Sequence, residues 1–342
     1  MGSGYGSGVS EDDIREIRIL VVGCGGGGCN SINRLNEIGL DGAETLAINT
    51  DSISLKNTKS LHRLLIGAET TKGFGAGGRP EVGESCAMNA TGMLDQVFRE
   101  VDLCFIIAGM GGGTGTGAAP VVAETAKRNG SLVISIATLP FKFEGGLRRN
   151  SAMKGLRRLR EHSDTLLLLD NNRLVEMVGN IPFNQALGVM DQLISELIRG
   201  LVDALNKPSL INIDFNDLRT IIKHGGVSTI IYGENADPEG VVRDAIQNPL
   251  LDVDIAGGTG ALVHVSGGYN LTLKRAYRVL QGITENLDGD ANIKYGVRVS
   301  EDREDVIRLI AVITGIGDIP KQPFQDIEPS DDLAEIIRKY GR

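Results

Sequence analysis

The sequence predicts an α/β fold in which a parallel-sheet domain is joined by one long helix to a second, smaller α/β domain. In the first half, apolar runs typical of buried strands alternate with helical patterns, and glycine-rich turns connect them. The longest helical pattern, Pro182 to Asn206, has apolar residues at the spacing of one buried face, and Pro208 ends it. Strand and helix patterns then alternate again as far as residue 316.

Composition limits the class of protein. Of 342 residues, 41% are hydrophobic and 23% are charged, which is enough apolar material for the cores of two domains. The formal net charge of -9 argues against a nucleic-acid-binding protein. We find no signal peptide and no apolar run of about 18 residues, so we expect a cytoplasmic protein without direct membrane insertion.

The two ends of the chain differ from the rest. Residues 1–10 contain four glycines and three serines, which is typical of a flexible leader. After Gly317, three prolines precede a short amphipathic helical pattern that begins at Ser330. The predicted order is a leader, a first domain, a connecting helix, a second domain, and a linker with a carboxyl-terminal peptide: 1–14, 15–181, 182–207, 208–316 and 317–342.

The most specific motif is the run from Gly109 to Gly117. It follows the apolar run Leu103–Ala108 and precedes a helical pattern that ends near Asn129. A strand, a glycine-rich turn and a helix amino terminus together present backbone N–H groups to an anion. A structural turn needs one or two glycines, whereas five of the seven residues 111–117 are glycine. We therefore predict a phosphate-binding loop.

Two further glycine-rich loops occur earlier, at Gly23–Asn30 and Thr70–Pro80, and a helical pattern from about Val82 to Glu100 follows the second. Because loops at the carboxyl edge of a parallel sheet lie together, all three are expected to contact one ligand with several phosphates. The chain has no G-x-x-x-x-G-K-[ST] motif, and no lysine lies in the glycine cores of these loops. Helix dipoles, backbone amides and a metal ion are therefore expected to offset the phosphate charge.

An NAD-dependent oxidoreductase is an alternative. Gly23-x-Gly25-x-x-Gly28 follows a strand pattern, and a second strand pattern ends in Asn49-Thr50-Asp51, as in a dinucleotide-binding fold. This alternative does not explain the loop at 109–117 or the acidic residues at 212–217. The sequence also has no histidine in a plausible catalytic context for such an enzyme.

Together these motifs resemble the FtsZ family, the prokaryotic tubulin-like cell-division GTPases, and its archaeal members in particular. The resemblance covers about residues 15–316. It implies a tubulin/FtsZ-like fold with a Rossmann-like GTP-binding domain. The matching motifs are Gly25–Asn30, Asn49–Asp51, Gly75–Pro80, Gly111–Gly117, Phe143–Gly145, Asn171 and Asn212–Asp217.

The resemblance implies that GTP or GDP binds with Mg²⁺ at the following positions. The first loop, which cradles the nucleotide, contributes Gly26, Gly27, Gly28, Cys29 and Asn30, where Cys29 replaces the usual glycine. Asn49 and Asp51 lie near the nucleotide and its metal, and the γ-phosphate is sensed by Ala76, Gly77 and Gly78. The phosphates are bound by Gly112, Gly113, Thr114, Gly115 and Thr116. Glu144 and Arg148 meet the ribose and phosphate region. Asn171 and Asp191 recognise guanine.

The resemblance also implies that Asn212, Asp214 and Asp217 act in catalysis, the two acids on the hydrolytic water. The spacing supports an active site shared between two molecules. The helix from Asp191 to Asn206 rises about 20–25 Å, which separates Asp214 from the nucleotide of its own molecule. Asp214 would then serve a second molecule, and a head-to-tail contact that does not close gives a filament.

Alternatively, Asp214 or Asn216 caps the following helix, with Asp217 in its first turn. A filament-forming paralogue that does not hydrolyse GTP is a further alternative, which the three intact polar residues argue against.

The implied partners are other copies of this chain and a membrane-tethering division protein that binds the tail, at the division site. The tail departs from the docking peptide that is usual in bacterial members. The basic run from Arg148 to Arg160 is predicted to be a solvated helix face rather than a nucleic-acid site.

Further hypotheses concern two cysteines and Asp191. Cys24 and Cys29 are expected to be small buried side chains rather than zinc ligands, because the four histidines are scattered. Cys29 beside the phosphates is also a candidate for a reactive thiol with a lowered pKa. For Asp191, the alternative to base recognition is a carboxylate in the first turn of the long helix, stabilised by the helix dipole.

Overall fold

The computed structural model describes residues 16–178, 180–224, 228–248, 254–300 and 305–316. The predicted leader and the predicted tail lie outside the described residues.

The first half of the chain alternates strands and helices, as predicted. The strands are β1 (Ile19–Cys24), β2 (Glu44–Asn49), β3 (His62–Leu65), β4 (Leu103–Gly109), β5 (Leu132–Leu139) and β6 (Thr165–Asp170). The helices are α1 (Gly25–Ile38), α2 (Ser52–Asn57), α3 (Ala68–Thr71), α4 (Pro80–Asn89), α5 (Thr91–Phe98), α6 (Thr114–Arg128), α7 (Gly146–His162) and α8 (Asn171–Val178). A 3-10 turn at Lys142–Glu144 precedes α7.

The first six strands form one parallel sheet in the order β3-β2-β1-β4-β5-β6. This is the order of a doubly wound nucleotide-binding sheet, and it confirms the predicted Rossmann-like architecture. The order reverses between β1 and β4, so the helices that follow these two strands, α1 and α6, pack on opposite faces of the sheet, and a crevice is expected at the carboxyl edge between them.

Both faces of the parallel sheet are buried, because side chains alternate between them. Ile19 and Val21 of β1 pack in one apolar cluster, and Leu20 and Val22 pack in the cluster on the opposite face. Burying such a side chain contributes roughly 1.5–3 kcal/mol, so each short strand is fixed in register by its own apolar residues.

The predicted long helix is α9 (Phe183–Asn206). Its apolar face contacts residues of the first sheet and of a second sheet within one continuous cluster, which includes Leu197, Leu201 and Ile310. The helix therefore lies between the two sheets and connects them.

The second half also alternates strands and helices. The elements are α10 (Phe215–His224), β7 (Ser228–Asn235), α11 (Pro238–Ile246), β8 (Gly260–Gly267), α12 (Leu273–Thr284), β9 (Asn292–Val299) and β10 (Ile307–Thr314). They form a mixed four-stranded sheet in the order β7-β10-β8-β9, in which β10 is antiparallel to both of its neighbours. The alternation of elements in the sequence predicts their type but not this insertion of the last strand.

Two local features differ from the sequence prediction. The edge strand β3 was not predicted, because it has only four residues and two of them are exposed. The single helix expected from Val82 to Glu100 is divided at Ala90, whose backbone leaves the helical region at ψ 4°. Among the helices of the described ranges, none has the length and apolar character required to cross a bilayer.

Candidate functional site

A cleft of about 590 Å³ opens at the carboxyl edge of the parallel sheet, where the strand order reverses. Its walls are the turns after β1, β2, β4, β5 and β6, the loop between α3 and α4, and one side of α9. Most of the residues predicted to bind nucleotide line this cleft: Gly26, Gly27, Asn30, Asn49, Asp51, Ala76, Gly77, Gly78, Gly112, Gly113, Thr114, Gly115, Glu144, Arg148, Asn171 and Asp191.

Three predicted residues support the loops from behind instead of lining the cleft. A Cβ on Gly28 would lie 2.4 Å from the Ile107 carbonyl oxygen, so glycine is needed for α1 to pack on β4. The Thr116 hydroxyl accepts a hydrogen bond from the Gly111 amide at 2.7 Å and fixes the loop after β4. Cys29 is 1% exposed and packs against Ala47 and Leu55.

The environment of Cys29 contradicts the hypothesis of a reactive thiol. Burial raises the pKa of this thiol, and the hydrogen bonds from Thr58 and Asn49, which act in the opposite direction, are weaker effects. All four cysteines are free and buried, so they act as small apolar side chains, as expected.

The loops after β1 and β4 are in direct contact. A Cβ on Gly25, which has φ +71°, would lie 2.8 Å from the Gly115 amide nitrogen, so only glycine allows this approach. The hydroxyls of Thr50 and Thr114 are buried and 2.7 Å apart, which ties the loop after β2 to the same centre. By contrast, a Cβ on Gly26 or Gly112 would meet no atom within 4 Å, because both residues face the cleft.

Two helix amino termini point into this centre. Helix α1 begins at Gly25 and α6 begins at Thr114, and neither has a side-chain cap for its first N–H groups. Uncapped N–H groups and the positive ends of two helix dipoles form a site for an anion such as phosphate. An anion here would be held by backbone N–H groups, which do not require a lysine in the glycine cores.

The end of β2 orients two polar side chains. The Asn49 Oδ1 atom accepts hydrogen bonds from the amides of Thr50 and Asp51, and its Nδ2 donates to the Ser54 hydroxyl at 3.1 Å. Asp51 caps α2 by accepting from the Ser54 amide at 2.9 Å. Asp51 therefore presents a fixed carboxylate at the wall of the cleft.

The residues present fit Mg²⁺ better than a metal held by protein ligands alone. In the described ranges, no three His, Cys, Asp or Glu side chains converge on one point. Magnesium keeps several waters and is usually held by one or two carboxylates together with phosphate oxygens. The single carboxylate of Asp51 beside a phosphate site matches that requirement.

An aromatic group that lines the cleft was not predicted as part of the site. The rings of Phe141 and Phe143 stack with centroids 4.9 Å apart, and Phe183 lies 5.6 Å from Phe141. Phe143 and Phe183 are 72% and 59% exposed, so they present a flat apolar surface to the cleft. The signal in the sequence is the pair of phenylalanines just before Glu144, one of the predicted site residues.

Glu144 and Arg148 form an ion pair at 2.9 Å at the start of α7. Glu144 also accepts a hydrogen bond from the Phe141 amide at 2.8 Å, which fixes the 3-10 turn. The arginine thus lies at the mouth of the cleft with its orientation set by one carboxylate.

Asp191 lies on α9 with its carboxylate in the cleft wall. Burial raises the pKa of Asp191 to about 6, while a hydrogen bond from Ser31 and the charge of Arg34 act in the opposite direction. The interpretation of Asp191 as a first-turn carboxylate is wrong, because α9 begins at Phe183 and Asp191 lies about two turns inside it. Ser31 was not predicted as part of the site.

The three predicted catalytic residues lie away from the cleft, at the far end of α9. The Asp217 amide donates to Asp214 Oδ1 at 2.7 Å, and the Asp214 amide donates to Asp217 Oδ2 at 3.3 Å, so Asp214 is the cap of α10. The Asn212 Oδ1 atom accepts from the Ser209 amide at 2.8 Å. Within one molecule the acids and the glycine loops do not meet, as their spacing predicts.

Strand β9 holds the segment that carries these acids. The Leu210 amide donates to the Val297 carbonyl at 2.9 Å, and an isolated bridge pairs Ile211 with Val297. The Lys294 ammonium lies 3.0 Å from Asp217 Oδ1. The acidic segment is therefore fixed to the second sheet.

Comparison with known proteins agrees with both halves of the fold. The model described as "Tubulin/FtsZ family, GTPase domain" matches residues 18–179, and the model described as "FtsZ family, C-terminal domain" matches residues 226–317.

Curated relatives match over most of the chain. "Cell division protein FtsZ 2" of Methanocaldococcus jannaschii is 47% identical over 97% of this chain and 88% of that protein. Its namesake in Halobacterium salinarum strain R1 is 46% identical over 89% of this chain and 78% of that protein.

A solved structure titled "FtsZ dimer, empty (M. jannaschii)" superposes with a TM-score of 0.82. It is 40% identical to this sequence and covers 92% of this chain and 96% of its own. Similarity in both domains, in sequence and in structure, thus shows that the chain belongs to the Tubulin/FtsZ family, in its FtsZ group of GTP-binding cytoskeletal cell-division proteins.

Proposed function

We propose that this chain binds GTP in the cleft and hydrolyses it to GDP and phosphate only when assembled head to tail into filaments. The observation that carries the proposal is the position of the two functional groups at opposite ends of α9. The glycine loops lie near its beginning, and Asp214 and Asp217 follow its end.

The lining of the cleft supports a guanine nucleotide. Its volume of about 590 Å³ suits a ligand of nucleotide size. The uncapped amino termini of α1 and α6 suit the phosphates. A carboxylate such as Asp191 accepts hydrogen bonds from both N1–H and the exocyclic amine of guanine, whereas adenine lacks this donor pair. Asn171, which also lines the cleft, and the exposed Phe183 ring offer polar and flat apolar contacts to a base.

In the proposed filament, the acids of one subunit reach the γ-phosphate of the next. Asp191 and Asn206 are separated by about 22 Å along α9, so Asp214 of the same molecule is too far from its own cleft. Asp214 and Asp217 would orient and polarise the attacking water, with Asn212 shaping the same segment. Mg²⁺, when bound, offsets negative charge on the β- and γ-oxygens.

This proposal divides the chain by task. Residues 15–181 form the GTP-binding domain, the connecting helix 182–207 adds Asp191 to the site, and 208–316 supply the acids. We propose that the protein acts in the cytoplasm at the division site, and that a membrane-tethering division protein binds within 317–342. Neither oxidoreductase chemistry nor nucleic-acid binding is part of the proposal.

The test is phosphate release measured against protein concentration with GTP, Mg²⁺ and light scattering in parallel. We expect turnover per molecule to rise cooperatively above a threshold at which filaments appear, and ATP to give no comparable turnover. Strictly linear activity from the lowest concentration would contradict a shared site. Filaments that form with GTP but release no phosphate would identify a non-hydrolysing paralogue.

A further inference from the structure

Ser31 makes a direct contact with the carboxylate of Asp191. It lies on α1, one turn beyond Gly27, and is 2% exposed. Its hydroxyl donates to Asp191 Oδ1 at 2.5 Å, so the bond joins the first glycine-rich segment to the central helix. This distance falls in the range of a hydrogen bond from a hydroxyl to a carboxylate.

Among the described residues, the hydrogen bond to the Asp191 carboxylate comes from Ser31 and not from a charged side chain. Arg34, on the next turn of α1, is engaged by Gln192 at 2.7 Å and by Glu37 at 3.3 Å, and it acts on Asp191 only through its charge. In the described part of the chain, Ser31 is the one residue that donates a hydrogen bond to this carboxylate.

We propose that Ser31 is a positioning residue for base recognition, which holds the Asp191 carboxylate in the orientation that a 2-amino-6-oxopurine requires. This inference rests on the proposed GTP site. Each carboxylate oxygen has two acceptor positions, so Oδ1 can accept from Ser31 and from a ligand. A base with paired N–H donors needs both carboxylate oxygens in the plane of the base. A fixed rotamer of Asp191 provides this orientation without an entropic cost of ordering on binding.

The second effect of the hydroxyl is on the protonation of Asp191. Burial disfavours the ionised carboxylate, and the bond from Ser31 favours it. The ionised form only accepts hydrogen bonds, whereas the protonated form carries an O–H donor that competes with the N–H donors of the base. Removing the hydroxyl should therefore move the loss of guanine affinity to higher pH, with Arg34 as the remaining charge that favours ionisation.

The experiment compares Ser31→Ala with Ser195→Ala in the full-length protein. Ser195 is a matched control, because its hydroxyl donates to the main-chain oxygen of Asp191 at 2.7 Å and not to the carboxylate. Binding of GDP, IDP, ADP and tripolyphosphate is measured by calorimetry between pH 5.5 and 8. IDP lacks the 2-amino group, and tripolyphosphate lacks the base.

We expect Ser31→Ala to weaken GDP binding by about tenfold, which corresponds to about 1.4 kcal/mol. Its preference for GDP over IDP should shrink, and the pH midpoint of GDP binding should rise. Tripolyphosphate affinity should stay unchanged. Ser31→Thr, which keeps the hydroxyl, should restore GDP binding, whereas Ser195→Ala should resemble the natural protein throughout.

Two outcomes separate this inference from the function on which it rests. Equal GDP preference and equal pH midpoints in Ser31→Ala and Ser195→Ala would overturn the role of Ser31 alone. A natural protein that binds ADP as tightly as GDP would overturn the proposed function. If Ser31→Ala fails to fold, Ser31→Cys keeps the volume with a much weaker donor, and it is judged by the same comparison with Ser195→Ala.

Discussion

Asp214 and Asp217 cap helix α10 through two reciprocal hydrogen bonds, from the Asp217 amide to Asp214 Oδ1 at 2.7 Å and from the Asp214 amide to Asp217 Oδ2 at 3.3 Å. The same carboxylates are the proposed water-orienting groups. A substitution at Asp214 can therefore remove a charge, a cap, or both.

Asparagine and alanine separate these two effects at Asp214. Asparagine caps a helix as well as aspartate does, whereas alanine costs about 1 kcal/mol of stability. We expect both variants to lose GTP turnover, to bind GTP and to form filaments, while only Asp214→Ala unfolds at lower urea concentration. Normal phosphate release by Asp214→Asn would rule out its proposed role in turnover.

The ion pair between Lys294 and Asp217 gives a second prediction. The two side chains are 45% and 25% exposed, so the pair contributes at most about 1 kcal/mol to stability. Lys294→Ala should leave the melting temperature nearly unchanged but lower turnover per assembled subunit several-fold, because Asp217 loses one fixed contact. Lys274→Ala, at an exposed position on α12, is the control. Equal turnover in the two variants would show that the pair does not orient Asp217.

The raised pKa of Asp191 predicts a conflict between stability and binding. The pKa is about 6 in the folded protein and 3.8 for an ordinary aspartate, so the folded state binds more protons between these values. The contribution of Asp191 to stability is then most favourable below pH 4, falls as the pH rises to about 6, and stays reduced above it. The penalty is about 3 kcal/mol.

Asp191→Asn carries no such penalty. We expect its nucleotide-free form to be more stable than the natural protein at pH 8, with the difference vanishing near pH 4, and to lose GTP affinity. For the natural protein, GTP affinity should fall as the pH drops through about 6. Urea unfolding and calorimetry at both pH values measure these effects, and a stability difference independent of pH would contradict the assignment.

Gly28 and Gly112 both lie in glycine-rich loops, but substitution by alanine should affect stability at one and GTP binding at the other. A Cβ on Gly112 meets no atom within 4 Å, whereas one on Gly28 lies 2.4 Å from the Ile107 carbonyl oxygen. Gly112→Ala should keep the melting temperature of the nucleotide-free protein and weaken GTP binding at least about tenfold, because the methyl group occupies space for phosphate. Gly28→Ala should lose about 1–3 kcal/mol of stability. The reverse pattern would mean that the cleft does not hold the phosphates.

The sequence predicted the parallel sheet well, because each buried strand is a continuous apolar run and each following turn is rich in glycine. It did not predict β3, since His62 and Arg63 are exposed on an edge strand and carry no burial pattern. The place of β10 between β7 and β8 depends on pairing across the whole second domain, which local periodicity does not encode.

Within the site, the motifs located the loops but did not separate residues that face the cleft from those that support them. Gly26 and Gly28 are equivalent in the motif, yet only Gly26 lines the cleft. Ser31 and Phe183 were missed because their roles depend on partners far away in sequence, such as Asp191 and Phe141.

The length of α9 determines how many complete active sites a filament contains. If each cleft is completed by the acids of a neighbour, a filament of n subunits contains n − 1 complete sites. One end always carries a nucleotide that no neighbour can attack, and a single molecule has no complete site at all. The average rate per subunit then depends on filament length, and short filaments keep a larger share of intact GTP than long ones.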